Sequence, residues 1–122
     1  MHGGLNFLLL TDDAERFRGA LMIAMTHQAL GGAARLFLQM DAVRLLSPPV
    51  VAPRDEAHDR AGFPTLAALL DEALADGVAL IACQSGLALA GLAATDLDQR
   101  IETGGLASFL AATGDDDRLL TL

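Results

Sequence analysis

Two short runs of uncharged, almost wholly apolar residues, 5–10 and 78–82, constrain this chain more than anything else in it. A strand with one wet face alternates apolar and polar positions, whereas a strand covered on both faces does not alternate. Only Asn6 interrupts the first run, and nothing polar interrupts the second. Each therefore reads as a central strand of a parallel sheet with helices on both sides.

The segments between the runs fit that reading. After the first run, Thr11, Asp12 and Asp13 offer helix caps, and Phe17, Leu21, Ala24, Met25 and Leu30 recur at helical spacing up to Gly31 and Gly32. Residues 35–39 predict a second strand, and Asp41 is expected to cap a short helical turn through Leu46. Pro64 suits the first turn of a helix whose apolar face is Leu66, Leu69, Leu70 and Leu74, with Gly77 ending it. A helix of small residues should follow the second run, from about Ser85 to Leu92. Leu106, Phe109 and Leu110 mark another helix, and residues 118–122 a closing strand. Strands separated by helices give an α/β class: a single-domain, three-layer α/β/α sandwich on a mainly parallel sheet of about five strands.

Residues 47–62 break the pattern. Pro48, Pro49 and Pro53 are followed by Asp55, Glu56, His58, Asp59 and Arg60, which predicts a long proline- and charge-rich loop. His58 with its acidic neighbours superficially resembles a metal-ligand set, but no second histidine or cysteine stands at ligand spacing, so a solvated charge cluster is expected. His27 is expected on the surface of the first helix, and His2 to be disordered.

Charge excludes several partners. Every one of the 8 basic residues is arginine, against 16 acidic residues, for a formal net charge of -8. No basic stripe offsets this, so neither nucleic acid nor an anionic membrane is an expected partner. Residues 77–95 carry no charge, but Gln84, Ser85 and Gly86 interrupt them, and a strand followed by a helix explains the stretch better than a membrane span. Residues 1–4 show no basic region of a secretory signal, which together with a single cysteine points to the cytoplasm. The hydrophobic share of 52%, with no tryptophan or tyrosine, suggests surface covered by other copies, and hence a homo-oligomer.

In open parallel sheets ligands bind beyond the carboxyl ends of the strands. That edge should gather Thr11, Asp12, Gln39, Met40, Gln84 and Cys83, the only cysteine in the chain. Cys83 ends a strand where a helix opens near Ser85, and helix N-terminal N–H groups favour a thiolate. The alternative is a buried cysteine acting as a small hydrophobe. Asp12 and Asp13 are read mainly as helix caps, although a carboxylate near Cys83 would oppose thiolate formation. The turn after the first strand holds no glycine and two acids, so a dinucleotide fingerprint or P-loop is absent. Gly104 and Gly105 precede a helix and permit close backbone approach, a tight loop being the plainer reading. No cofactor and no metal site is expected.

Residues 77–85, reading GVALIACQS, are followed at a suitable distance by GGLASFL at 104–110 and by DRLLTL at 117–122. With the opening strand, the long helix, residues 35–46 and Phe63-Pro64-Thr65, this order resembles the DsrE/DsrF-like family of small sulfur-relay and related proteins over nearly the whole chain. The resemblance implies assembly as a trimer or hexamer. It also implies that Cys83 accepts sulfane sulfur as a persulfide from a donor protein and hands it to an acceptor. Gln84, Ser85, Gly104 and Gly105 would line that site. Two functions stay open: a sulfur carrier, or a noncatalytic homo-oligomeric module that binds a small ligand or a protein with Cys83 structural. A cysteine-dependent reductase or peroxidase is weaker, because no resolving cysteine exists.

Overall fold

The computed structural model describes residues 3–122; His2 lies outside the described residues. Five strands, β1 (Leu5–Leu9), β2 (Ala34–Leu38), β3 (Ala79–Cys83), β4 (Glu102–Gly104) and β5 (Arg118–Thr121), form one sheet in the order β4-β3-β2-β1-β5. Every pairing is parallel, with Phe7 opposite Leu36 and Leu120, and Phe37 opposite Ile81. Phe7, Leu9, Leu36, Leu38, Leu80 and Ala82 are fully buried, as the unalternating runs require.

Helices α1 (Ala14–Ala29) and α3 (Leu66–Ala75) pack against each other on one face. Both follow from right-handed crossovers that advance across the sheet in one direction. The return from β4 to β5 runs the other way and carries α5 (Leu106–Ala111) to the opposite face. There the Phe109 ring lies 5.2 Å from that of Phe37, and the Arg35 guanidinium sits 4.3 Å over Phe109. Arg35 and Phe37 alternate with Leu36 and Leu38 along β2, so the two helical layers read opposite faces of the same strand. The molecule is the three-layer α/β/α sandwich that the pattern predicts.

The caps are specific. Asp13, not Asp12, caps α1, its carboxylate accepting from the backbone N–H groups of Glu15 and Arg16. Thr65 caps α3, which places Pro64 one residue ahead of the cap and outside the first turn. Gly77 leaves α3 at φ 89°, a left-handed conformation that glycine adopts without Cβ strain. Asp41 does not cap the turn after β2. It lies inside a 3-10 helix, Met40–Leu46, and pairs with Arg44 at 3.5 Å.

Residues 47–62 differ most from expectation, because they contain a helix, α2 (Asp55–Arg60), held down by α1. Arg18 is only 4% exposed; its Nη2 donates to Asp55 Oδ1 at 2.9 Å and its Nη1 to the Pro64 carbonyl at 2.7 Å. Asp55 also accepts from the amides of Ala52 and Leu66. His58 does not join a solvated acidic cluster: its Nε2 lies 3.0 Å from Glu15 Oε1. A buried cation must be paired, and that requirement overrides the loop-like composition. The other described histidine, His27, is half-buried, with Nε2 2.7 Å from the Gly3 carbonyl.

Candidate functional site

Cys83 is the last residue of β3 and also the N-cap of α4 (Gln84–Ala90). Its side chain takes the role usually filled by serine or aspartate: Sγ accepts the backbone N–H of Gly86 at 3.3 Å. The residue is 6% exposed. Gln84 and Ser85, which follow it, are both exposed.

Strand register and helix packing decide what lies around the sulfur. Gly104 of β4 is the register partner of Cys83, and Gly105 caps α5 immediately beyond. From the other side the 3-10 helix that follows β2 packs on α4. The approach is so close that a Cβ on Gly86 would overlap the Met40 carbonyl oxygen and stand 2.9 Å from the Met40 Cα. Met40 itself has φ 50°, a left-handed conformation that costs a non-glycine residue on the order of 1 kcal/mol or more. Tertiary packing on α4 holds it there.

Of the residues expected at the sheet edge, Met40, Gln84, Ser85 and Gly104 are thus brought to Cys83, with Gly105 one residue further. Gln39 is half-buried, and its backbone N–H continues the β1–β2 ladder by donating to the Leu9 carbonyl at 3.0 Å. Thr11 and Asp12 share the edge but follow β1, with β2 between them and β3. Two strand spacings amount to roughly 10 Å, so neither is a neighbour of the thiol. Thr11 Oγ1 accepts the Asp13 N–H at 3.3 Å.

One residue of this region escaped the sequence reading. Arg35 interrupts an otherwise apolar strand, and a charge inside such a run signals a pairing across the sheet. Its Nε donates to Asn6 Oδ1 at 2.7 Å, and its Nη2 to the Phe109 carbonyl and Thr113 Oγ1 at 3.2 Å each. It lines a cavity of about 140 Å³ together with Ile81, Gly104 and Gly105. Its partner in register is Ala79, four residues before Cys83, or about 13 Å along the strand. Arg35 therefore anchors α5 and does not activate the sulfur.

Among the described residues no group of three or more histidine, cysteine, aspartate or glutamate side chains is arranged to hold a metal ion. Among them, too, no helix is long and apolar enough to cross a membrane.

A family model described as DsrE/DsrF-like matches residues 6–122. The chain belongs to the DsrE/DsrF-like family. A solved structure of a protein of unknown function from Methanobacterium thermoautotrophicum superimposes over 100% of both chains with a TM-score of 0.73, at 13% sequence identity. At that identity the likeness speaks for the fold. No curated protein matches the sequence. Membership of the DsrE/DsrF-like family associates the chain with sulfur relay, and its one thiol is the buried cap of α4.

Proposed function

We propose that the protein is a sulfur-relay carrier that receives and passes on sulfane sulfur as a persulfide on Cys83. The observation that carries this reading is the placement of the chain's single thiol at the carboxyl end of a central strand, in contact with a helix N–H, in a family associated with sulfur relay. In the receiving step the Cys83 thiolate attacks the terminal sulfur of a donor persulfide. The donor's S–S bond breaks, the donor leaves as a thiolate, and Cys83 carries the new S–S bond. In the delivering step an acceptor thiolate attacks the outer sulfur and Cys83 leaves as a thiolate. Each transfer is redox-neutral, so no resolving cysteine is needed. A reducing cytoplasm suits a thiol that must stay free between transfers.

Burial sets a condition on this chemistry. Cys83 is only 6% exposed, so exchange requires a docked donor that opens the site rather than a diffusing reagent. Incubation with a protein persulfide donor should add about 32 Da to Cys83 and nothing to Cys83→Ser. A thiol that a small alkylating agent modifies but that several donors leave untouched would rule the carrier out.

The burial of Cys83 also favours a second reading, in which the thiol is a packing residue of a noncatalytic homo-oligomeric module. Exposed apolar side chains support assembly into a trimer or hexamer, among them Leu10 at 47% and Leu119 at 43%. By strand alternation both lie on the α5 face of the sheet. Under this reading Cys83→Ala leaves assembly intact, and the native thiol resists both donors and alkylating agents.

A further inference from the structure

A groove runs between α1 and α3 on the opposite helical layer from α5. It encloses about 380 Å³, within the range of small-molecule sites. Met22 and Met25 of α1 and Leu69 of α3 form its walls, and Phe63 and Pro64 close one end. Met22 and Phe63 are more than half exposed, at 53% and 58%, which is unusual for side chains so apolar and so close together.

The polar groups at the groove give it a sign. Arg18 is held by Asp55 and the Pro64 carbonyl. Its Nε is buried without a hydrogen bond, 3.4 Å from Glu15 Oε1. Thr26 Oγ1 donates to the Met22 carbonyl, and His58 Nε2 is bonded to Glu15. Glu72, one turn after Leu69 on α3, stands exposed at the rim, and no hydrogen bond or ion pair engages its side chain among the described residues. One guanidinium thus faces three carboxylates, those of Glu15, Asp55 and Glu72; Asp55 is engaged by Arg18 and Glu15 by Arg18 and His58, and Glu72 by neither. The free charge offered to a ligand is negative.

We infer that this groove binds a small organic cation: an apolar alkyl or aryl body lying against Met22, Met25, Leu69 and Phe63, with a protonated amine at Glu72. The thioethers and the phenyl ring accommodate varied apolar shapes, and a ring face also attracts a cation. An anionic ligand of the same shape meets an uncompensated carboxylate and no available cation.

The test uses the full-length protein with 4-phenylbutylamine, 4-phenylbutanol and 4-phenylbutyrate as matched probes, read by NMR of the methionine methyl groups. The amine should shift the Met22 and Met25 methyls saturably, the alcohol should bind less tightly, and the carboxylate should not bind. Glu72→Gln should weaken the amine about threefold to fivefold and leave the alcohol unchanged, as expected for one partly solvated ion pair. Because the Glu72 side chain is exposed and bonds nothing among the described residues, that variant tests the charge without threatening folding. Equal binding of amine and carboxylate overturns the proposal, as does the absence of any methyl response at millimolar amine. Methyl shifts that follow protein concentration without ligand also overturn it, since a second copy then occupies the groove.

Discussion

Arg18 and Asp55 lie 37 residues apart in sequence and meet at 2.9 Å, and this contact turns a stretch of proline and charge into an ordered part of the fold. The guanidinium is almost fully buried in α1, while the carboxylate starts α2 and accepts two further backbone amides, one of them from the first residue of α3. Three helices are tied together by one carboxylate.

Replacing Asp55 with asparagine should therefore cost far more than a surface change. Arg18 would remain buried without its nearer counter-ion, keeping only Glu15 at 3.4 Å, and an amide NH2 cannot accept from a backbone N–H. A loss of about 2–4 kcal/mol is expected in urea denaturation, toward the lower part of that span because Asp55 keeps 19% exposure. A loss below about 0.5 kcal/mol would show that the pair is merely tolerated.

The same residue shapes the acid limb of stability. Burial pushes the Asp55 carboxyl up, but the amides of Ala52 and Leu66 and the Arg18 guanidinium outweigh it and hold the group below its ordinary range. A depressed folded pKa means that the unfolded chain binds the proton more readily. The contribution is fully present above the unfolded value of about 3.9 and disappears as pH falls through the lower folded value. Denaturation midpoints measured from pH 5 downward should fall steeply in the wild type and less steeply in Asp55→Asn.

Gly86→Ala tests the contact between α4 and the turn after β2. An added Cβ would overlap the Met40 carbonyl, which is backbone and cannot swing aside. A destabilisation of about 1–3 kcal/mol is expected, together with faster alkylation of Cys83, because relief of the clash moves the first turn of α4 off the sulfur. Unchanged stability and unchanged alkylation would mean that the two segments separate freely.

Cys83 variants distinguish capping from simple filling of space. Serine keeps an acceptor for the Gly86 N–H, and alanine removes it. Cys83→Ala should be less stable than Cys83→Ser by about 1 kcal/mol in paired urea titrations. If the alanine variant is the more stable, the sulfur contributes by its apolar volume.

Asp98 supplies a spectroscopic check. Hydrogen bonds from the Arg100 side chain and backbone hold its carboxyl at about 2. NMR titration of the side-chain carboxyl carbon should find it ionised until pH approaches that value. Arg100→Ala should return it toward the ordinary aspartate range with little change in stability, because the ion pair is exposed.

The elements that were legible in the sequence are those whose own residues carry a continuous apolar run or a helical spacing. β1 and β3 are apolar runs and β2 is one apart from Arg35, whereas β5 is marked by Leu119 and Leu120 alone, since all four of its residues are exposed. β4 was not legible because Glu102, Thr103 and Gly104 pair on one side only and carry no hydrophobic signature. α2 was not legible because Arg18, in a different helix, stabilises it. At the candidate site the sequence located Cys83 at the strand end, but the left-handed Met40 and the pairing of Arg35 with Asn6 depend on contacts that local pattern does not carry.

A sulfur that caps a helix is structurally coupled to its own chemistry. Attaching a second sulfur lengthens the side chain by an S–S bond of about 2 Å and shifts the lone pairs that receive the Gly86 N–H. Under the proposed carrier role, the first turn of α4 would then rearrange whenever sulfur arrives or leaves. Full and empty forms would present different Gln84 and Ser85 surfaces, so a partner could tell them apart without touching the sulfur at all.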